Sequence, residues 1–512
     1  MGVTDTTGVP GPVVCVVGAG TAGLEGLLSA REQLGAGAEL RLIAPDRQFR
    51  YRPMSPGSLF RPAPERGLAI ADLVAQVGAT WVADRADVIY EEERRVLTRD
   101  GDTVDFDFLL LAMGARSRRA LSQGHVWERG ADPGFLDRII EGIVAGEVRS
   151  VAVAVPRGAR WPIPAYELAL VLAWRTTGTD ARVTLLTAEE TPLGALGRDA
   201  TEAVERELDA AGVEVVTGVE VVDDPERSAQ GRELADVLLV PEQPADGTDA
   251  LMGEPSDPAR VRLGTGSSAE FEQLISLPTV VGPFINGVAT DAVGLIEVDE
   301  KLKVCGSERV WAAGGCIAAA LEHSALSARQ ADAAVAAIAA SIAGEAGGDL
   351  TTSAGPPDLT GLLLTGAREQ WLAENPLGTR EPSTRCLWWP PGRAVGHMLA
   401  QRIAAWDPSV HRALPSQPGG LEIRAPVALG CSGRAPVTAG SQVSAEVRAA
   451  RLSDIENRQQ MALQRREREA AAELRTLSTR LKTFATHQRQ VISELEHHGY
   501  LRDNENSAAD SR

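Results

Sequence analysis

Runs of apolar residues and glycine turns alternate along most of the chain, and the first such unit is the clearest. Residues 13–17 (VVCVV) are apolar and mostly β-branched, which predicts a strand buried in a parallel sheet. A helix is expected behind the glycines that follow, up to about Gln33, and then a second strand at 39–43. This order predicts an α/β unit at the start of the chain.

The same pattern returns in three later segments. Apolar strands are expected within 104–121 and at 150–155, the second followed by a helix from about Pro164. Residues 310–339 contain a strand end, a glycine pair and an alanine-rich helix that we expect to start near Ser324. Together these elements predict an α/β fold with two Rossmann-like, doubly wound domains of the dinucleotide-binding type.

The C-terminal third has a different character. LTGLLLTG and RCLWWPPG, within 359–406, predict two strands, and RAVGHMLAQRIAAW predicts a helix. The next stretch is rich in Pro, Gly and Ser and is typical of a linker. The predicted domains are 13–147 with 286–345, 148–285, a small α+β domain at 350–411, a linker at 412–445 and a helix at 446–498.

The last predicted helix, 446–498, contains no Gly or Pro and is dense in charge. Its apolar residues recur at spacings of three and four, which predicts a coiled coil and self-association into a homo-oligomer. The alternative is a single exposed amphipathic helix. The repeat is carried by Leu474, Leu477, Leu481, Phe484, Val491 and Leu495, with Gln488 filling the position between Phe484 and Val491.

Composition narrows the class of function. The chain has 512 residues, 44% of them hydrophobic, and a net charge of −19, which argues against nucleic acid as a partner. The N-terminal residues lack the pattern of a secretory signal, and no run of about 18 apolar residues occurs, so we expect a cytoplasmic location. The five cysteines are never spaced as C-x-x-C, so no metal site is expected.

The first candidate site is a G-x-G-x-x-G motif formed by Gly18, Gly20 and Gly23. Such glycines allow a tight turn, the approach of a pyrophosphate to bare backbone, and close packing of helix on strand. The alternative is a glycine-rich turn that binds nothing. An acidic residue is expected after the second strand to bind a ribose hydroxyl, and Asp46 is the candidate.

Two later strands also end in glycine, at Ala112-Met-Gly114 and at Gly314-Gly315. Their spread over 300 residues suggests FAD rather than a contiguous NAD domain. The chain here resembles the FAD-dependent pyridine nucleotide-disulfide oxidoreductases, in particular sulfide:quinone oxidoreductases and type II NADH dehydrogenases. The resemblance covers roughly 13–406 and is carried by GAGTAGLE, FRYRPMS, DFLLLAMGA, VWAAGG, SARQADAAVAAIA and LWWPPG.

The resemblance implies that FAD is the cofactor. In that family the strand end reads A-x-G-D, and the aspartate binds the ribityl chain of FAD, whereas this chain has Gly315. The helix behind it points its N-terminus at the flavin. Losing one hydrogen bond to a charged group corresponds to about ten- to hundred-fold in affinity, so an aspartate restored at 315 is expected to tighten FAD binding.

The resemblance also suggests residues for chemistry. The family often has Lys-Gln before the last helix, where this chain has Glu322-His323, and His323 could donate a proton or hydrogen bond. Both residues could instead simply flank the helix start. Glu167 matches a glutamate near the flavin in related enzymes, or is an ordinary first-turn glutamate. Tyr51 and Arg52, in the loop FRYRPMS, could touch the cofactor or only pack within the loop.

The second domain lacks its own fingerprint. PRGARWPIP stands where an NAD site would show G-x-G-x-x-G, so we interpret this degenerate NAD(P)-binding-type domain as retained for architecture, with binding of NAD(P)H as donor the alternative. Trp161 occupies the position of a redox cysteine in sulfide:quinone oxidoreductases, and neither Cys305 nor Cys316 has a partner there, which argues against typical sulfide oxidation.

Two functions remain open at the level of sequence. The first is an FAD-dependent oxidoreductase that passes electrons from a reduced donor, NAD(P)H or a sulfur compound, to a quinone or similar acceptor. The second is a degenerate flavoprotein scaffold that assembles through its coiled coil. In that family the C-terminal domain carries a quinone pocket or a membrane-surface face. An apolar patch within 359–406 could form such a face here, although clusters of Trp and Met are more often core. The residues concerned are Trp388, Trp389, Met398, Leu399 and Trp406.

Overall fold

A computed structural model describes most of the first 344 residues and short segments beyond them. Two compact units are distinguished, one of residues 1–96 and 104–440, the other of 97–103 and 441–512. The described ranges are 11–50, 67–127, 134–223, 259–263, 267–319, 321–344, 359–364, 398–399, 401–402 and 420–425, with single positions at 453, 457, 460, 461, 464 and 468.

Six α-helices and 22 strands have defined bounds in these ranges. The helices are α1 (Thr21–Leu34), α2 (Ile70–Val77), α3 (Gly134–Val144), α4 (Ile163–Arg175), α5 (Arg198–Ala211) and α6 (Ser324–Ile342). The first eleven strands are β1 (Val13–Val17), β2 (Glu39–Ile43), β3 (Gln48–Arg50), β4 (Gly67–Ala69), β5 (Ala79–Val82), β6 (Ala86–Tyr90), β7 (Arg95–Thr98), β8 (Thr103–Asp105), β9 (Phe108–Leu111), β10 (Arg116–Arg118) and β11 (His125–Val126). The others are β12 (Ser150–Val155), β13 (Arg182–Thr187), β14 (Glu214–Val216), β15 (Val221–Asp223), β16 (Ala259–Leu263), β17 (Ser268–Phe271), β18 (Gln273–Ser276), β19 (Thr279–Val281), β20 (Val310–Ala312), β21 (Leu359–Leu364) and β22 (Gly420–Ala425).

The first sheet has the strand order β20-β9-β1-β2-β5, and all its neighbours are parallel. Its central strand β1 is buried from Val14 to Val17, as the apolar run predicts. Helices α1 and α6 pack against each other beside this sheet, burying Leu24, Leu27 and Ile338. Because β1, β9 and β20 are parallel, the turns that follow them lie at one edge of the sheet.

The second sheet, β11-β18-β12-β13-β14, is also parallel throughout. Its helix α4 is buried on all sides over Ile163–Leu172, and α5 packs beside it. The predicted strand at 150–155 and the helix start near residue 164 are both confirmed. The two sheets make the protein an α/β structure consistent with two Rossmann-like domains.

The predicted linker at 412–445 is not free of regular structure. Strand β22 lies inside it and pairs antiparallel with β21, with Leu359 opposite Ala425. The segment GLEIRA alternates apolar and polar residues, but its glycine- and proline-rich flanks hid that alternation. The proposed second strand, RCLWWPPG, falls outside the described residues.

Two members of the proposed apolar patch are core residues. Leu399 is fully buried and Met398 packs partly buried against the core of the first sheet. The three tryptophans of that patch, and all six apolar residues of the predicted heptad repeat, lie outside the described ranges. Within those ranges, no helix combines the length and apolar character needed to cross a membrane.

Candidate functional site

The turn after β1 requires glycine at two of its three motif positions. Gly18 has a φ of +106°, and a Cβ there would overlap the carbonyl of Ala112. A Cβ on Gly23 would overlap the carbonyl of Gly18. A Cβ on Gly20 would meet no atom within 4 Å, so the backbone there faces open space.

Backbone hydrogen bonds tie this turn to both neighbouring strands. The N–H of Gly18 donates to the carbonyl of Ile43 at 2.8 Å, and the N–H of Ala112 donates to Val17 at 2.8 Å. Gly114 follows in a left-handed conformation, with φ +68° and open space beside it. Gly20 is also the N-cap of α1 and has no side chain to cap it, so the first N–H groups of the helix lack intrahelical partners, which suits a phosphate-bearing ligand.

A second tight turn follows β20. Gly314 has a φ of +81°, and its N–H donates to Oε1 of Gln330 on α6 at 2.9 Å. Gln330 is only 1% exposed, and no motif in the sequence pointed to it. The available signal was a lone amide side chain on the buried face of an alanine-rich helix. Gln330 therefore holds the turn against α6.

A buried arginine crosses from the second domain to this turn. Arg160, between β12 and α4, is 7% exposed. Its Nη1 donates to the carbonyl of Gly315 and its Nε to the carbonyl of Ala319, each at 2.9 Å. Its own carbonyl accepts the N–H of Glu322 at 2.9 Å. The turn that lacks a second fingerprint thus contacts the first domain, a role that its Pro- and Trp-rich sequence did not indicate.

The positive charge of Arg160 is balanced chiefly by Glu322. Burial lowers the pKa of its guanidinium, and the carboxylate of Glu322 is the largest opposing influence. Nη1 of Arg160 lies 3.7 Å from Oε2 of Glu322. Its Nη2 is buried and has no hydrogen-bond partner among the residues that the structure describes.

The carboxylate of Glu322 occupies the space beside Gly315. A Cβ at position 315 would lie 2.5 Å from Oε1 of Glu322 and 3.3 Å from the N–H nitrogen of Ala115. The side chain of Glu322 is 28% exposed. Glu322 therefore does more than flank the start of α6: it places a carboxylate where the sequence shows only glycine.

His323 lies at the start of α6 and against Trp161. The carbonyl of His323 accepts the N–H of Ser327 at 2.8 Å, so the helix begins at Ser324 as predicted. The ring centroids of His323 and Trp161 are 4.7 Å apart, with planes inclined by 41°. The structure thus brings Arg160, Trp161, Glu322 and His323 into one cluster beside the Gly314–Gly315 turn.

The other proposed residues have different surroundings. Glu167 is fully buried in α4, and Asp46 is exposed two residues beyond the buried Ala44. Tyr51 and Arg52 lie outside the described residues. The roles proposed for these four residues stay predictions.

Cys316 is a poor candidate for redox chemistry. It is a free and fully buried thiol, and Cys305 is disulfide-bonded, so the two do not pair with each other. Burial raises the pKa of Cys316 to about 11, against the smaller opposing effect of the backbone N–H groups of Met113 and Gly114. The thiol therefore keeps its proton at neutral pH.

In the second domain, the acidic residue that follows β13 is hydrogen-bonded within the protein. Tyr166 donates a hydrogen bond of 2.6 Å to Oε2 of Glu189, just beyond β13. The N–H of Leu193 donates to the Tyr166 hydroxyl at 3.2 Å. Glu189 occupies the place where a dinucleotide domain carries its ribose-binding acid, and here it is hydrogen-bonded within the protein.

Comparisons with known proteins describe what the chain is similar to. The model of the family described as pyridine nucleotide-disulphide oxidoreductase matches residues 12–340. The mitochondrial sulfide:quinone oxidoreductase of Dictyostelium discoideum is 29% identical over 105 residues, which are 20% of this chain and 23% of that protein. The chain thus matches less than a quarter of that relative's length.

A solved structure is similar over a longer part of the chain. It is the sulfide:quinone oxidoreductase from the hyperthermophilic bacterium Aquifex aeolicus, matched over 69% of this chain and 79% of that chain. The TM-score is 0.52 and the sequence identity 17%, so the likeness concerns the fold.

Proposed function

The chain belongs to the pyridine nucleotide-disulphide oxidoreductase family, and from that premise we propose that it is an FAD-dependent oxidoreductase. It passes electrons from a small reduced donor to a quinone-like acceptor. Membership confirms the resemblance indicated by the sequence motifs. Bound FAD would supply the electron-transfer chemistry, while this chain binds and orients it.

One observation carries the proposal. At the edge of the first sheet, Gly18 and Gly23 are packed so tightly that a side chain would overlap backbone, yet Gly20 between them faces open space. Gly114 is open in the same way. A turn that served only for packing would have no need of an unfilled position, whereas a pyrophosphate requires one.

The residues of this chain then have separable tasks. The backbone of Gly20 and the first turn of α1 would hold the phosphates, and the backbone of Gly114 would lie against the cofactor. The N-terminus of α6, which begins just after His323, would present the positive end of its helix dipole to the cofactor. His323 and Glu167 are the proposed proton-handling residues.

Two features of the second domain bear on the identity of the electron donor. In the turn between β12 and α4, where a second fingerprint would lie, Gly158 is the only glycine, and a Cβ on it would contact Thr279 at 3.7 Å; Glu189 is hydrogen-bonded to Tyr166. Both facts disfavour NAD(P)H. The names of the two similar enzymes favour a sulfur compound as donor and a quinone as acceptor. A cysteine relay through Cys316 is disfavoured by its raised pKa.

The test begins with the colour of the full-length protein. We expect a flavin spectrum, with FAD released on denaturation at about one per chain. Anaerobic additions of sulfide, NADH and NADPH should show which donor bleaches it, and a soluble quinone should restore the colour. A colourless protein that takes up no added FAD would overturn the enzyme and favour the degenerate scaffold.

Self-association through 446–498 is part of the same proposal. The full chain should sediment as an oligomer, and Leu477→Asp with Leu481→Asp should dissociate it, because charges at the predicted heptad positions oppose helix pairing. An oligomer that survives both substitutions would contradict the coiled coil. Flotation with liposomes of the full chain tests the proposed membrane-surface contact.

A further inference from the structure

We propose that Glu322 supplies the carboxylate that binds the hydroxyl-bearing ribityl chain of FAD. It does so in place of an acidic residue at position 315, which is glycine in this chain. The inference rests on the proposed function and names a binding residue that the motif pattern does not contain. It follows from where the Glu322 carboxylate lies.

A side chain at position 315 would meet the carboxylate of Glu322. A Cβ built on Gly315 would lie 2.5 Å from Oε1 and 3.1 Å from Cδ of Glu322. The glutamate therefore brings a carboxylate from seven residues downstream into the volume that a side chain at 315 would occupy. A carboxylate and glycine at these two positions are complementary, since only glycine leaves the room.

That carboxylate lies beside the buried Arg160. Oε2 of Glu322 lies 3.7 Å from Nη1 of the buried Arg160, and the N–H of Glu322 donates to the Arg160 carbonyl at 2.9 Å. The guanidinium is itself fixed by the carbonyls of Gly315 and Ala319. The buried guanidinium and the backbone hydrogen bond therefore hold the Glu322 carboxylate in place.

The two oxygens of the Glu322 carboxylate have different surroundings. Oε1 accepts no hydrogen bond from any residue that the structure describes, although Oε2 faces Arg160. The side chain is 28% exposed, so a ligand can reach it. The backbone nitrogen of Ala115 lies 3.3 Å from the position of a Cβ built on Gly315. Ala115 directly follows Gly114, which has open space beside it. A ligand hydroxyl in that opening would donate a hydrogen bond to Oε1 of Glu322.

The arrangement changes the expected effect of an aspartate at 315. Added alone, it would compete with Glu322 for one volume and place two like charges together. Gly315→Asp should therefore bind FAD no more tightly than wild type. In a Glu322→Ala background the same aspartate has room and should recover the lost affinity.

The experiment measures FAD dissociation constants of the apo-protein by flavin fluorescence, for wild type, Glu322→Gln, Glu322→Ala, Gly315→Asp and Gly315→Asp/Glu322→Ala. We expect both Glu322 variants to bind about ten-fold or more weakly, and the double variant to return to within about three-fold of wild type. Glu300→Gln, an exposed glutamate of the same domain, is the matched control and should not change affinity.

A ligand-side control separates binding from folding. An FAD analogue with a plain pentyl chain in place of the ribityl chain should bind wild type and Glu322→Gln equally, because it has no hydroxyl for the carboxylate. A Glu322→Gln variant that loses the same affinity for both ligands has only a structural role, which would overturn the inference. The inference would also be overturned if Gly315→Asp tightened FAD binding in the wild-type background as much as it does in the Glu322→Ala background.

Failure of the proposed function gives a different result. If neither the wild-type protein nor the double variant takes up FAD, both proposals are overturned together. Wild type that binds FAD while Glu322→Gln binds equally well would overturn this inference and leave the oxidoreductase standing.

Discussion

The buried carboxylate of Glu25 on α1 accepts a hydrogen bond of 2.8 Å from the N–H of Leu399, 374 positions later in the chain. Its other oxygen accepts the N–H of Met398 at 2.6 Å. Glu25 and Leu399 are both fully buried. One carboxylate thus fastens the helical residues 398–399 to the same helix whose N-terminus forms the glycine turn.

Replacing Glu25 by glutamine should loosen this attachment. An amide offers one oxygen where two N–H donors need acceptors, so we expect a loss of about 1.5–3 kcal/mol in the free energy of unfolding. Urea denaturation measures that loss, and the amide of Leu399 should exchange its hydrogen faster in the variant. Glu32→Gln, exposed on the same helix, is the control and should change neither quantity. Unchanged exchange at Leu399 would contradict this role of Glu25.

The glycines of the first turn should separate folding from binding. Gly20→Ala meets no atom, so we expect the apo-protein to keep its melting temperature while FAD affinity falls, because the methyl group enters the opening. Gly23→Ala overlaps the carbonyl of Gly18, so the apo-protein itself should lose stability, by about 1–3 kcal/mol. Melting curves and FAD titrations of both variants test the contrast. Equal melting temperatures in the two variants would refute the packing argument.

Local pattern was enough to predict the frame of the molecule. The strand at 13–17, the strand at 150–155 and the start of α6 at Ser324 each depend on a run of apolar residues or a cap within a few positions. The parallel order of the strands follows from the helices between them. These elements could be predicted because their causes lie close together in the chain.

The contacts that complete the site could not be predicted in this way. Arg160 and Gly315 are 155 positions apart, and β21 pairs with a strand that begins 56 residues after it ends. Glu322 stood beside a helix start, where a glutamate is ordinary, and only its position against Gly315 shows another role. Such pairings are set by tertiary packing, which leaves no periodic signal in one sequence.

Cys316 should resist modification in the folded protein. With a pKa of about 11, about one thiol in a thousand is ionised at pH 8, and the group is fully buried. A thiol-specific reagent should label Cys316 only after unfolding, which mass spectrometry can follow. Rapid labelling of the native protein at this residue would contradict its burial.

The same thiol should contribute to alkaline destabilisation. Its folded pKa is raised above the ordinary value of 9.0, so the stability it contributes is present at lower pH and is lost as pH rises towards 11. Two pKa units correspond to about 3 kcal/mol. Cys316→Ser keeps a donor but does not ionise there, so its free energy of unfolding should fall less than that of wild type between pH 9 and 11. Parallel curves for the two proteins would contradict the assignment.

Glu189 should destabilise the folded protein once it is ionised. Burial raises its pKa above the ordinary 4.5, more than the hydrogen bonds from Tyr166 and Thr187 lower it. Below pH 4.5 the carboxyl is protonated in both the folded and unfolded states, and the penalty is absent; as pH rises through the folded pKa, the penalty grows. Glu189→Gln keeps an acceptor without the charge, so we expect its melting temperature to exceed that of wild type by about 1–3 °C at pH 8 and to equal it at pH 4. Glu190→Gln, exposed beside it, should show no such pH dependence. If Glu189→Gln instead melts lower than wild type at pH 8, the ionised carboxylate is required by Tyr166, and the second domain is held together by that charge.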